Sequence, residues 1–493
     1  MIPDRVRNWI GGEQTPAASG EWIVKHDPHD GRPLCELARS RAADVQAAVA
    51  AARAAQPGWD ATPAVQRGLL LHGLVRLLQD RRETIGRIVA AETGKTVAEG
   101  IGETGAAVQC GLFFASEGQR LYGKTCTSGV PNKMAMTVRR PVGVAGLIVA
   151  ANTPIANVAW KLFPALVCGN GVVLKAAEDT PATAWIVGEL AREAGIPDGV
   201  VNIVQGLGRE AGAPLVEHPD VDLVSFTGST EAGRYVQETA GRRLARVSLE
   251  LGGKNPLVVC EDADLEGAVK WTVLSAFSNA GQRCASCSRV IVHEAVYEEF
   301  REALLAGTAA LDVGNHEGAD LGPVINERQL RNMLDAVTEA REQGARVLVG
   351  GERLTDPDHA GGYYMAPTVI EGADPDDRIS TTELFGPILC IYQADGYHDA
   401  LALANRSPYG LTASIHTKDI HRALQFSRDA ECGVAVINAG TYGSEPHMPF
   451  GGVKQSGNGW REPGGEAIDV YTELKDVYVV LDSPRDPGDG SHA

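Results

Sequence analysis

Residues 278–289 read SNAGQRCASCSR, so Cys284 directly follows Gly281, Gln282 and Arg283. A glycine there permits a sharp turn and close backbone approach, which puts the thiol at a turn rather than inside an apolar run. A cysteine so placed is a candidate nucleophile. The competing reading is the small buried hydrophobe that most cysteines are. Cys284 and Cys287 form the one CxxC of the chain. A zinc site needs a second such pair or neighbouring histidines. None lies close in sequence, so no metal is assigned. Redox pairing, with one thiol resolving the oxidised other, is the better reading of the CxxC.

The remaining chemistry-bearing residues stand where apolar runs end. Asn152 follows the run at 142–150, and its amide can donate to developing negative charge or cap a helix. Lys175 and Glu178 follow the run at 171–176. A carboxylate there can accept ribose hydroxyls, or sit in a solvated ion pair at a helix start. Gly228, Ser229 and Gly233 form a strand-to-helix turn whose amides can meet phosphate, although the spacing is not GxGxxG. Glu250 closes the run at 245–251 before Gly252 and Gly253. Desolvation there would raise its pKa and suit a general base; the alternative is a carboxylate facing water. The GKT at 94–96 is no Walker loop, because the required earlier glycine is Val89.

The elements that must position these residues read as α/β. Residues 1–41 are short extended pieces and turns, and amphipathic helices follow from Ala42. Apolar runs at 142–150, 171–176, 200–205, 221–226 and 245–251 alternate with helix-length segments, as do runs at 289–293, 347–351, 366–370, 387–393, 411–417 and 433–438. Such alternation predicts two parallel sheets with right-handed crossovers, and ligands bind beyond the carboxyl ends of such strands. The strand-prone stretches 119–141 and 467–480 are expected to pair and bridge subunits.

Composition narrows the class. Sixty-three acidic against 45 basic residues in 493 give a formal charge of −18, which argues against nucleic-acid or anionic-membrane partners. Nine irregularly spaced cysteines do not form a secreted disulfide framework. No run of about 18 apolar residues is present to span a membrane. A cytoplasmic location is expected.

Taken together, these pieces resemble the aldehyde dehydrogenase superfamily. The match runs from about residue 7 to about residue 482, with LELGGKNP at Glu250, GQRC at Cys284, ELFGP at 383–387 and PFGGVKQSG at 449–457 in order. The resemblance implies a Rossmann-like NAD-binding domain (1–122 and 142–250), an α/β catalytic domain (251–452), a small β oligomerisation flap (123–141 and 463–482) and a disordered tail (483–493). It also implies a homodimer or homotetramer, NAD as cofactor with NADP as an alternative, and a small-molecule aldehyde substrate. Cys284 is then the nucleophile, Glu250 the base, and Asn152 with the Cys284 amide the oxyanion hole. Lys175 and Glu178 hold the adenosine ribose, with Glu178 favouring NAD. Gly228 and Ser229 lie at the pyrophosphate, Glu383 and Phe385 contact the nicotinamide ribose and ring, and Lys161 matches a lysine near the catalytic pocket. Two features depart from the family pattern. Ala-Ala-Asn152-Thr-Pro replaces a run that often carries Pro-Trp before the asparagine and Phe-Pro after it. Arg283 stands where relatives vary, placed to bind a substrate carboxylate or to form a salt bridge. SEPHMPFGGVKQSG and GNGWREPGG resemble the branch acting on semialdehydes of dicarboxylic acids, such as 2-oxoglutarate semialdehyde. Two competing readings are transfer of the acyl group to CoA and a non-catalytic member of the fold.

Overall fold

The structure, a computed structural model, describes residues 2–481. The tail 483–493, expected to be disordered, lies outside the described residues. The first sheet has seven strands in the order Arg246–Glu250, Leu223–Thr227, Val144–Ile148, Gly171–Lys175, Val201–Val204, Asn8–Ile10, Glu13–Thr15. The first five run parallel and the last two antiparallel. Val144–Ile148 and Gly171–Lys175 are buried at every residue, as expected where helices cover both faces of a parallel sheet. All five sequence runs of this region became strands.

The second sheet orders Arg346–Val349, Thr368–Glu371, Ile388–Ala394, Cys287–His293, Asn255–Val259, Thr412–His416, Val434–Ile437. All are parallel to their neighbours except Arg346–Val349. Its strand Asn255–Val259 has no counterpart among the runs read from sequence, which placed the second alternation after Cys284. Lys254, Asn255 and Pro256 disguise it. Pro256 is tolerated because it sits at a register shift.

A fourth long helix, Val97–Glu117, was also not evident, since four glycines break its apolar pattern. They serve packing. A Cβ at Gly100 would lie 2.2 Å from the Gly86 carbonyl oxygen, and one at Gly111 would lie 2.5 Å from Val75 and 2.7 Å from the Phe163 ring. The GKT at 94–96 is indeed a helix boundary. Gly94 ends one helix at φ 82°, and Thr96 with Glu99 forms the capping box of the next.

The stretches 119–141 and 467–480 do pair: Lys133–Pro141 runs antiparallel to Thr472–Val480, with Thr125–Thr127 on the other side. The helix Ala467–Tyr471, expected inside the flap segment, instead belongs to the first core. Tyr471 is fully buried and its carbonyl accepts a bond from Asn170. Among the described residues no helix is long and apolar enough to cross a membrane.

Candidate active site

Three motifs distant in sequence lock together around Cys284. Gly281, at φ 68°, abuts the ELFGP segment: a Cβ there would lie 2.2 Å from the Gly386 oxygen. Gly252 abuts the same segment, where a Cβ would fall 1.9 Å from the Glu383 carboxylate. The Gly253 amide donates to Glu383 at 2.9 Å. The cysteine loop passes through left-handed Asn279 and Ala280 and is pinned from several sides. Asn255 donates to the carbonyls of Cys284 (2.7 Å) and Ser286 (2.9 Å). Thr441 donates to the Ala285 carbonyl (2.6 Å), and the Asn279 amide donates to Glu99 (2.8 Å). A thiol held this firmly is preorganised.

Cys284 is half-buried and lines two cavities. Burial, reinforced by the charges of Glu383 and Glu250, pushes its thiol up to about 12; the amides of Ala285 and Cys284 partly offset this. The thiol therefore rests protonated and requires an acceptor for its proton.

The smaller cavity, about 360 Å³, is lined by Asn152, Gly228, Ser229, Glu250, Glu383 and Phe385 among others. Glu250 is 4% exposed, so it is not the carboxylate facing water that the sequence left open. Neither of its oxygens accepts a hydrogen bond among the described residues. Burial holds its carboxyl well above the ordinary range. Lys161 and Arg461 pull it down, while Glu462 lifts it further. Gly451 leaves room for it, since a Cβ there would lie 2.7 Å from the Glu250 carboxylate. Burial likewise raises Glu383 to about 7, against the Gly253 amide and Lys254. Ser229 caps the helix Thr230–Gly241, so Gly228 and Ser229 bring a helix N-terminus to the cavity, a setting that favours phosphate.

The larger cavity, about 590 Å³, lies on the other side of the thiol. Asn152, Trp160 and Phe450 line both cavities, and the two rings pack at 5.3 Å. These aromatics occupy the pocket whose flanking tryptophan and phenylalanine the Asn152 run lacks. Arg283 lines the larger cavity and takes the salt-bridge alternative in part. It meets Glu99 by a single contact of 3.4 Å and lies 4.6 Å over the Tyr442 ring. The rest of its fork has no protein partner among the described residues.

Asn152 does not cap the following helix; that position is Thr153. Its amide donates to the Gln282 carbonyl at 3.0 Å, two residues before Cys284. Lys161 lies in neither cavity. It is 1% exposed and joins Ser225 (2.7 Å) and Glu462 (2.8 Å), so its influence on the site is electrostatic and passes through Glu250. Lys175 and Glu178 pair at 3.0 Å past their strand, outside the lining of the smaller cavity. Burial alone would raise Glu178, but Lys175, a backbone amide and Arg328 together hold it below its usual range. Cys287 is buried, and its thiol donates to the Arg289 carbonyl.

A profile described as the aldehyde dehydrogenase family matches residues 15–477. The chain belongs to the aldehyde dehydrogenase family. It is 38% identical over 475 residues to the alpha-ketoglutaric semialdehyde dehydrogenase of Bacillus subtilis (strain 168), covering 96% of this chain and 97% of that protein. It is also 38% identical over 479 residues to the alpha-ketoglutarate semialdehyde dehydrogenase of Haloferax volcanii, covering 97% and 99%. The solved betaine aldehyde dehydrogenase of Staphylococcus aureus in complex with NAD+ superposes with a TM-score of 0.95 at 31% identity, covering 97% of this chain and 95% of that one.

Several residues of this aldehyde dehydrogenase site escaped the sequence reading. Glu99, Glu103, Asn255, Tyr442 and Glu462 all hold or line it. Glu99 had a local signal, the T-x-x-E capping box, and Asn255 and Glu462 sit inside LELGGKNP and GNGWREPGG without being singled out there. Glu462 and Lys161 are 301 positions apart, a separation that no local pattern reports.

Proposed function

We propose that the chain oxidises an acidic semialdehyde to the dicarboxylic acid, with NAD as the preferred acceptor and Cys284 as the nucleophile. The observation that carries this is the junction of two cavities at one thiol, with a buried unpartnered carboxyl on one side and a half-free guanidinium on the other.

The smaller cavity suits a nicotinamide dinucleotide. A helix N-terminus and Gly228 offer amides to the pyrophosphate, and Glu383 is an acceptor for ribose hydroxyls. Phe385 offers a face to the ring, and Lys175 with Glu178 supplies the adenosine ribose site. When bound, the nicotinamide accepts the hydride that leaves the aldehyde carbon.

The protein's own groups do the rest. The Cys284 thiol gives up its proton to solvent, and the thiolate sulfur attacks the carbonyl carbon. The oxyanion is stabilised by the Asn152 amide and the Cys284 backbone N–H. After oxidation a thioester remains on Cys284. Glu250 draws a proton from water, which attacks the thioester, and the acid leaves as the sulfur regains its proton. Lys161, paired with Glu462, holds a positive charge behind Glu250 and limits how far burial raises it. Arg283 anchors the substrate carboxylate at the far end of the larger cavity. The identity of the relatives in Bacillus subtilis and Haloferax volcanii supports an acidic semialdehyde.

The domains follow the two sheets and the flap. The flap exposes Leu474, Tyr478 and Val480, an apolar face suited to a second copy in a dimer or tetramer. Nine unpaired thiols support a reducing, cytoplasmic setting.

The test is NADH formation across a panel of neutral and acidic aldehydes of equal length, with Cys284→Ala as control. Acidic semialdehydes should be preferred and the variant inactive. Near-normal rates in the variant would refute the nucleophile, and equal turnover of neutral aldehydes would remove the acidic-substrate reading.

A further inference from the structure

Among the described residues, Arg328 is the one cationic side chain lining the smaller cavity. It is exposed, at the second position of the helix Glu327–Glu342, where the helix dipole disfavours positive charge. Among the described residues it makes no ion pair and no side-chain hydrogen bond. Its neighbour Glu327 is committed elsewhere, to Arg331 at 2.6 Å.

Arg328 and Asp179 line the same cavity. Asn326, the helix cap, accepts a bond from the Gln329 amide at 3.0 Å and donates to Asp179 at 3.0 Å. Asp179 directly follows Glu178, so this bond ties the start of the second-domain helix to the adenosine end of the first sheet. The charge of Arg328 reaches Glu178.

The charges there do not cancel. Lys175 pairs with Glu178 at 3.0 Å, and Lys25 faces Asp179 at 3.6 Å. Both acids are thereby matched, and Arg328 is left as a surplus positive charge beside the expected ribose. A guanidinium fork with free N–H groups fits a phosphate dianion. Glu178 by itself would repel a 2′-phosphate; Lys175 is paired against it, and Arg328 adds a positive charge that no acid matches among the described residues.

We propose that Arg328 is the ligand for the 2′-phosphate of NADP, so that the crevice accepts the phosphorylated dinucleotide alongside NAD in spite of Glu178. The inference rests on the dinucleotide reading of the crevice.

The test is calorimetric titration of the full chain, without dinucleotide, with 2′,5′-ADP and with 5′-ADP. The wild type should bind both. Arg328→Gln should weaken 2′,5′-ADP about tenfold and 5′-ADP about twofold or less. Arg328→Lys should retain part of the difference, because a point charge keeps the attraction and loses the fork. The ratio of kcat/KM for NADP to that for NAD should fall in step. Equal losses for both nucleotides would assign Arg328 to the 5′-phosphates and overturn the proposal. So would an unchanged 2′,5′-ADP affinity, or a wild type that binds 5′-ADP alone. A wild type that binds neither nucleotide would overturn the dinucleotide reading itself.

Discussion

The smaller cavity beside Cys284 is walled by strand ends and glycines, whereas the larger one is walled by a helix face and a loop. On the first side the functional groups are kept idle: the Glu250 carboxylate has no hydrogen-bond partner among the described residues, and Glu383 receives one amide. On the second side the acids are already engaged. Glu103 accepts from the amides of Ile155 (2.9 Å) and Ala156 (3.3 Å) and pairs with Lys95 at 2.6 Å. The Glu99 carboxylate accepts from the backbone amides of Thr96 (3.2 Å) and Asn279 (2.8 Å). The lesson is that burial of a carboxylate does not by itself mark chemistry. A carboxylate whose oxygens are filled by amides positions the backbone, and one left empty in a cavity is available to a proton.

The comparison is sharpened most at Glu250, which lines only the smaller cavity. Glu250→Gln should lower turnover about 10²- to 10⁴-fold, equally for neutral and acidic aldehydes, while a pre-steady-state burst of NADH persists. Because its oxygens have no partner to lose, the melting temperature should hold. A lower melting temperature together with loss of the burst would make Glu250 structural. The pH dependence follows from two shifts of the same sign. Burial raises both Glu250 and Cys284, and both act deprotonated. Activity should therefore fall as pH falls and rise with pH above the ordinary carboxylate range, with the hydrolytic part of that rise missing in Glu250→Gln.

Asn152 lines both cavities, so its removal should respect neither side. Asn152→Ala should cost about 10²- to 10³-fold in kcat for every aldehyde, with Cys284 still alkylated by iodoacetamide at the wild-type rate. Slowed alkylation would mean that the Asn152–Gln282 bond mainly holds the loop.

Arg283 belongs to the larger cavity alone. Arg283→Ala should raise KM about tenfold for acidic semialdehydes and leave KM for neutral aldehydes and NAD in place. A uniform rise would show that its contacts with Glu99 and Tyr442 shape the cavity without reading the substrate.

The same contrast explains what was legible beforehand. Glu250, Cys284, Glu383 and Phe385 sit in short glycine-marked motifs, and those glycines are required by contacts such as Gly281 against Gly386 and Gly252 against Glu383. The strand Asn255–Val259 and the helix Val97–Glu117 were hidden because a proline and four glycines interrupt their periodicity. Their packing partners tolerate or demand those residues.

By itself the sequence determined the alternation of strands and helices, the ends of those strands and the thiol placed at a turn. These are local properties, set by side-chain periodicity and backbone freedom within a few residues. Only the tertiary structure decided that the Glu250 carboxylate would be buried without partners among the described residues, that Lys161 would answer Glu462 rather than line the site, and that Arg328 would line the same cavity as Asp179. Each of those depends on groups far apart in the chain being desolvated together, and the free energy of a charge is set by what surrounds it in space.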